Sequence, residues 1–377
     1  MAPLSSIRRL FGKIRRRIND RLQQPIPNVY FEHLVLLTLC DVFARAVRGF
    51  KGCTPIRTAV LGYHPQLFAL LEPLRDFGFA IEAQYAYRED DVVHPCRPLS
   101  DLAVSRYDAL ILGGESGQAE AALIERLRQS VPSLPRRHGP VLHVHRTCSR
   151  FLATLSRLRT GHFSSCLNLR KLALVALAVS TTRGGCIAEC GAYQGGTAVF
   201  MGCLLREHGD PRRVHTIDTF EGMPAATPRD GVTPYQAGLF RDTRFEDVCG
   251  HVAAHGLQDA VKVHKGLSQE RLPEILARES AVSLALVDTD QYLGTVESLR
   301  LLVPKLAVNG VILVDDYCLD GVKNAIDEIR KEHPGMAGAE VTYNLYMMWR
   351  HADEGFLSQG WASGDRASEP ARGGEDG

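Results

Sequence analysis

The stretch SLALVDTDQY, residues 283–292, is an apolar run that breaks off in two carboxylates, Asp288 and Asp290. A second run of the same form, GVILVDDY at 310–317, ends in Asp315 and Asp316. A short apolar segment bounded by polar residues reads as a strand buried on both faces, as in a parallel sheet. Asp315 follows Asp288 by 27 residues, about one helical crossover between neighbouring parallel strands. The carboxylates could therefore converge at the carboxyl edge of one sheet, where ligands bind in open α/β folds.

The alternation of strand and helix extends outward from this pair. Strands are expected near 186–190, 213–218, 260–265, 283–288, 310–314 and 342–349, with helices between them. The series opens with CIAECGAYQGGTAVFMGCLL, 186–205. Its strand ends at Glu189, and a helix starts near Gly196–Thr197. Glycines at 191, 195 and 196 let backbone approach a ligand, and helix N–H groups face it. Their spacing fits the GxGxxG dinucleotide fingerprint poorly, which speaks against a nicotinamide oxidoreductase. The next strand, RVHTID, ends in Asp218, a carboxylate suited to the two hydroxyls of a ribose.

Upstream, a helix at 29–48 precedes a smaller α/β series. Strands are expected at 57–63, 80–86, 107–114 and 139–146, with helices at 65–78 and 118–131. LGGESG at 112–117 lacks the Lys-Ser/Thr of a phosphate loop and reads as a plain turn. Residues 147–184 read as mostly helical. The expected organisation is a basic amphipathic helix at 1–27, an N-terminal α/β domain at 28–150, a larger α/β domain at 151–351 and a disordered tail at 352–377. In the first segment Leu4, Ile7, Phe11, Ile14, Ile18 and Leu22 recur at helical spacing among Arg and Lys. Three readings stay open: peripheral contact with an anionic membrane through residues 1–25, docking on protein, or an organellar transit peptide.

The bulk numbers exclude several classes. The chain has 377 residues, 45% hydrophobic and 23% charged, as in ordinary soluble proteins. A net charge of +1 gives no field for nucleic acid. The ten cysteines form no CxxC pair, so a zinc ribbon is not expected. Cys40, Cys186 and Cys190 sit in apolar runs and read as buried reduced thiols, which suits a cytoplasmic location. No apolar run reaches the ~18 residues of a membrane span.

ECGAYQGGTA, DTFEGMP, GLSQERLP, VDTDQYLGT and GVILVDDY followed by GVKNAIDEIR together resemble the macrocin O-methyltransferase family, over roughly 165–350. The resemblance implies a class I methyltransferase fold, a Rossmann-like parallel sheet with helices on both faces. It also implies S-adenosylmethionine as cofactor, Mg²⁺ as metal, and a sugar hydroxyl as acceptor. Glu189, Cys190, Gly191, Gly195, Gly196 and Thr197 would wrap the methionine part of the cofactor. Asp218 would bind its ribose, and Thr219, Phe220 and Gly222 would line the adenosine side. Gly266 and Ser268 would lie near the adenine. Asp288, Asp315 and Asp316 match the magnesium ligands. Three unpaired carboxylates in contact would raise one another's pKa, and a hard divalent cation relieves that. Asp290 reads equally well as a helix cap.

Two departures stand out. The family's lid histidine is missing from AATPRDGVTPYQAGLFRDTRFEDV, whose Pro, Gly and Thr content suits a loop closing over substrate. Tyr235 lies where the histidine would fall, and His251 and His255 follow on the next helix. The base is then Tyr235, His251, Asp288 itself, or none. GLSQERLP also carries Glu270 and Arg271 where the family has Asp-Thr. The expected activity is O-methylation of a sugar or other vicinal diol. A catechol-type methyltransferase and a degenerate, non-catalytic cofactor-binding protein are the alternatives. The N-terminal α/β domain could hold the rest of a large acceptor or make a homo-oligomer.

Overall fold

The computed structural model describes residues 28–52, 55–62, 74–75, 77–85, 97, 101–102, 107–114, 117–130, 141–159 and 165–350. The basic segment 1–27, most of the helix expected at 65–78, and the tail from 351 lie outside these residues.

Two sheets organise the chain. The first is parallel, in the order β2-β1-β3-β4: β1 Ile56–Gly62, β2 Phe79–Tyr85, β3 Ala109–Gly113 and β4 Val141–His143. The second contains β5 Cys186–Cys190, β6 Val214–Asp218, β7 Val261–Lys265, β8 Val282–Val287, β9 Leu306–Asp315, β10 Met336–Thr342 and β11 Leu345–Arg350. Its order is β10-β11-β9-β8-β5-β6-β7. The chain runs outward from β5 to β7, crosses back to β8, and runs outward the other way. This reversal between β5 and β8 opens the crevice in which doubly wound sheets bind ligands. With its antiparallel β10–β11 end, the sheet has the class I methyltransferase architecture.

Nine helices among the described residues cover the sheets: α1 Asn28–Lys51, α2 Gly117–Ser130, α3 Arg150–Arg159, α4 Leu169–Thr181, α5 Gly196–His208, α6 Phe245–Ala254, α7 Ser268–Leu276, α8 Tyr292–Lys305 and α9 Asp320–Glu332. Side chains alternate across each strand, so each sheet feeds two layers. Ala59 and Leu61 of β1 face Leu123 and Leu127 of α2. Ile56 and Val60 face the opposite way, into a layer formed by α1, α3, α4 and α5. Ile187, Leu284 and Leu313 of the second sheet enter that same layer. One hydrophobic core therefore runs between the two sheets. On the far face Ala188, Ala285 and Ile312 pack under Leu272, Leu299 and Ile326 of α7, α8 and α9.

Helix α4 is buried on all sides from Lys171 to Thr181, as its apolar sequence requires. It starts at Asn168, whose Oδ1 accepts from the N–H groups of Arg170 and Lys171 at 3.0 and 3.1 Å. Such a cap contributes about 1 kcal/mol and fixes where the helix begins. That position matters, because Lys171 points into the site.

Two expectations are corrected. The single strand at 342–349 is a hairpin, with β10 preceding β11. MAGAEVT is rich in Gly and Ala, so its β propensity is low and pairing alone defines it. Asn344 turns the chain at φ 59°, a conformation Asn tolerates. The strand at 139–146 shortens to Val141–His143, because Val144–Ser149 winds into a π-helical turn leading to α3.

Candidate functional site

Strand register builds the site. Cys190 pairs with Ile217 and with Val287, and Val287 pairs with Val314. The residues that follow, Gly191, Asp218, Asp288 and Asp315, therefore emerge level at one sheet edge. The Asp288 N–H donates to the Cys190 carbonyl at 2.8 Å. Gly191 has φ 96°, and a Cβ there would lie 1.9 Å from the Asp288 carbonyl oxygen. Only glycine permits this close crossing.

Asp288, Asp290, Asp315 and Asp316 gather at this edge. Asp315 is 5% exposed, and the others are half-buried. Burial, then the charges of Asp315 and Asp316, hold the Asp288 carboxyl well above the usual range. Burial, then Asp288, does the same to Asp290, which also hydrogen-bonds Asp316. Asp290 has φ 58° and does not cap α8, whose N-cap residue is Gln291. Its place in the cluster decides between the two readings of that residue.

The carboxylates are not unpaired, which corrects the expectation from the sequence. Lys171 Nζ donates to Asp315 Oδ1 and stands 4.0 Å from Asp316 Oδ1. Burial pulls the Lys171 pKa down, but the Asp315 carboxylate outweighs it and the net shift is upward. Burial raises Asp315 to about 6 against the opposing pull of Lys171. Four carboxyl groups face one ammonium, and burial and mutual repulsion oppose the ionisation of Asp288 and Asp290, a penalty that a bound cation relieves. The donors are all oxygen, so the set fits a hard divalent cation.

The lid brings Tyr235 to the cluster. Its hydroxyl donates to Asp316 Oδ2 at 2.6 Å. Burial, then the charges of Asp290 and Asp316, raise its pKa, so the phenol stays protonated. Tyr193, Phe240 and Tyr235 form a chain of rings, with centroids 5.0 and 5.9 Å apart, from the glycine turn to the lid. Asp230, 2% exposed, fastens the base of the lid. It accepts from the Tyr292 N–H at 2.6 Å and from the Thr227 N–H and hydroxyl at 2.7 Å each. Arg229 adds contacts to Tyr292 and Glu328. His251 lies elsewhere: its Nδ1 meets the Gln194 carbonyl at 3.2 Å, and no described contact joins it to the carboxylates.

The residues that the sequence assigned to the cofactor divide into open and enclosed groups. Gly195, at φ 73°, precedes α5 and offers no side-chain cap, so the first N–H groups of Gly196 and Thr197 lack one. The Thr197 hydroxyl meets Ser165 Oγ at 3.0 Å. Glu189 is 1% exposed and accepts from the Thr216 hydroxyl at 2.5 Å. Burial pushes its carboxyl up to about 8. The Cys190 side chain is fully buried and Ser268 is 8% exposed, and burial pushes the Cys190 thiol up to about 11, so only its backbone could reach a ligand. Asp218 staples the turn: Oδ2 accepts from Ala192 and Tyr193 N–H at 2.9 and 2.8 Å, and Oδ1 from Phe220 N–H at 2.8 Å. The Thr219 hydroxyl accepts from the Glu221 N–H. Phe220 packs with Ala192 and Val248, and Gly222 backs onto the Leu239 carbonyl of the lid. Gly266 donates to the Asp218 carbonyl at 2.9 Å. Arg271, one of the departures in GLSQERLP, covers Gly266 and donates to the Lys265 carbonyl at 2.8 Å.

Sequence reasoning missed Lys171, Asp230 and Arg229. A lysine inside an otherwise apolar helix was the available signal for the first, since buried lysines require partners. Nothing in PRDG distinguishes Asp230 from a turn residue.

Residues 168–350 match the model of the macrocin-O-methyltransferase (TylF) family. It is similar to 8-demethyl-8-(2,3-dimethoxy-alpha-L-rhamnosyl)-tetracenomycin-C 4'-O-methyltransferase of Streptomyces olivaceus, with 29% identity over 44% of this chain and 66% of that one. It is also similar to mycinamicin III 3''-O-methyltransferase of Micromonospora griseorubida, with 26% identity over 40% of this chain and 61% of that one. The match thus spans less than two thirds of either relative. Among solved structures, the O-methyltransferase NovP shares 24% identity, covering 49% of this chain and 81% of that one at a TM-score of 0.43.

Proposed function

We propose that this chain transfers the methyl group of S-adenosylmethionine to a sugar hydroxyl of a glycosylated natural product or glycan. The observation that carries the reading is the register that sets the glycine turn, Asp218 and the four carboxylates level at one sheet edge. The relatives' names, one of them a rhamnosyl compound's 4'-O-methyltransferase, favour a sugar acceptor.

Bound S-adenosylmethionine supplies an electrophilic methyl on its sulfonium. The N–H groups at the start of α5 face the glycine turn and suit a carboxylate there. Asp218 Oδ1 takes one backbone N–H, which leaves acceptor capacity for a ribose hydroxyl. Asp288, Asp315 and Asp316, with Asp290 beside them, would hold Mg²⁺. A divalent cation bound there would lower the pKa of an acceptor hydroxyl and align two vicinal oxygens. Lys171 fixes Asp315, and Tyr235 orients Asp316 by donating to it. Asp288 is the proton acceptor of this arrangement, since Tyr235 keeps its proton and His251 faces Gln194. The lid, fastened by Asp230, excludes water from the reacting oxygen.

The ring chain Tyr193–Phe240–Tyr235 favours a second reading, a flat catechol acceptor. A cytoplasmic setting is part of this reading and suits the buried thiols of Cys40, Cys186 and Cys190. No helix among the described residues is long and apolar enough to cross a membrane. Contact of residues 1–25 with anionic lipid predicts that deleting them abolishes sedimentation with liposomes.

The test is calorimetric titration of S-adenosylhomocysteine with Mg²⁺ and with EDTA, beside Asp315→Asn. Cofactor binding in both, and a Mg²⁺ signal lost in the variant, is expected. Methyl transfer to deoxysugar glycosides rather than catechols then separates the two acceptors. Absence of cofactor binding overturns the proposal.

A further inference from the structure

The amino-end half of the second sheet holds a cluster that the methyltransferase site does not use. Cys186 opens β5, His215 is the second residue of β6, and Glu279 follows α7. The Cys186 thiol, a His215 ring nitrogen and a Glu279 carboxylate oxygen lie within 4.8 Å of one another. We infer that these three side chains bind a borderline-soft divalent cation, Zn²⁺, at a site separate from the carboxylate cluster. Five residues of β5 separate the two, roughly 15 Å along the strand.

The donor chemistry carries the inference. Sulfur, imidazole nitrogen and one carboxylate oxygen form a zinc set, whereas the aspartate cluster is all oxygen. Zinc–ligand bonds of about 2.0–2.3 Å place tetrahedral donors roughly 3–4 Å apart, so side-chain rotation closes the observed spread. A thiolate and a carboxylate balance the two positive charges. Burial, then the Glu279 carboxylate, push the Cys186 thiol up to about 12 against the weaker opposing pull of Arg212, so the incoming cation itself displaces the thiol proton. Arg213, 4.0 Å from Glu279 and with an exposed side chain, competes with the cation for that carboxylate, and Lys262 and Arg278 add positive charge nearby.

A second imidazole completes the site. His215 Nε2 stands 3.1 Å from Glu279, and its Nδ1 stands 3.0 Å from His264 Nε2. With no cation, Nε2–H of His215 donates to Glu279 and Nδ1 accepts from His264. With a cation on Nε2, both rings exchange tautomers and Nδ1–H donates to His264. Metal-bound histidines are held in this way by a partner on the second nitrogen. His215, His264 and Glu279 also line a cavity of about 540 Å³ with Arg213, Lys262 and Arg278. A fourth coordination position facing it would take water or an anionic oxygen.

The test is a Co²⁺ titration of the full chain after EDTA treatment. One equivalent should produce a thiolate-to-cobalt charge-transfer band that Zn²⁺ abolishes by displacement. Cys186→Ala should lose the band. His264→Phe should keep it but weaken affinity by about 10–100-fold. Asp315→Asn should leave both unchanged, which separates this site from the carboxylates. Should Cys186→Ala fail to fold, Glu279→Gln, at a half-buried side chain, must still weaken cobalt binding. Absence of the band in the unsubstituted chain, its persistence in folded Cys186→Ala, or full affinity in Glu279→Gln overturns the inference.

Discussion

Lys171 on α4 ion-pairs with Asp315 at the end of β9, across 144 residues of sequence. Both partners are buried, at 8% and 5% exposure. The pair places a fixed positive charge at the back of the carboxylate cluster and ties the layer between the sheets to the site.

Lys171→Met should therefore destabilise the fold by ~3–5 kcal/mol, the usual effect of stripping one partner from a buried pair. The cluster then has no internal cation, so Mg²⁺ should recover part of the loss by binding the native state. Thermal unfolding with and without Mg²⁺ measures both. A variant whose melting temperature responds to Mg²⁺ no more than the parent's would count against the placement of the cation.

Tyr235→Phe removes the donor to Asp316. As a positioning residue, Tyr235 should be worth about tenfold in kcat, or ~1.4 kcal/mol, with S-adenosylhomocysteine affinity unchanged. A general base would be worth ~10²–10⁴-fold. A loss in that larger range would restore Tyr235 as the base.

Glu189 gives a pH dependence of known sign. Its carboxyl is raised from 4.5 to about 8 in the fold by burial. The native state therefore holds the proton where the unfolded chain has lost it. Its stabilising contribution is complete below about 4.5 and is lost as pH rises through about 8. Glu189→Gln should melt with a shallower decline across that window. Parallel stability curves for the two proteins would refute the shift.

Asp230→Ala frees the lid. It removes the acceptor from the half-buried Tyr292 and Thr227 N–H groups, at about 1 kcal/mol for each lost bond. The acceptor KM should rise more than the cofactor dissociation constant, and the 224–242 segment should become the first site of limited proteolysis. Equal effects on both ligands would place Asp230 in the scaffold and not in the lid.

The sequence by itself determined the strands that carry the chemistry. Continuous apolar runs such as VSLALV have no amphipathic alternative, so they are buried parallel strands, and the acids after them fall at the sheet edge. Asp218, Asp288, Asp315 and Asp316 were legible for that reason, as was the glycine turn. Segments whose state depends on pairing were not legible: β10 exists because β11 holds it, with little propensity of its own. The same holds for charge. Whether Asp315 is unpaired depends on Lys171, 144 residues away, and no local pattern reports a contact across that distance. Asp290 could cap a helix or join the cluster until its backbone turned to φ 58° beside Asp316. Local propensity and periodicity decide elements, whereas register, long-range ion pairs and the desolvation that shifts each carboxyl arise only when those elements pack.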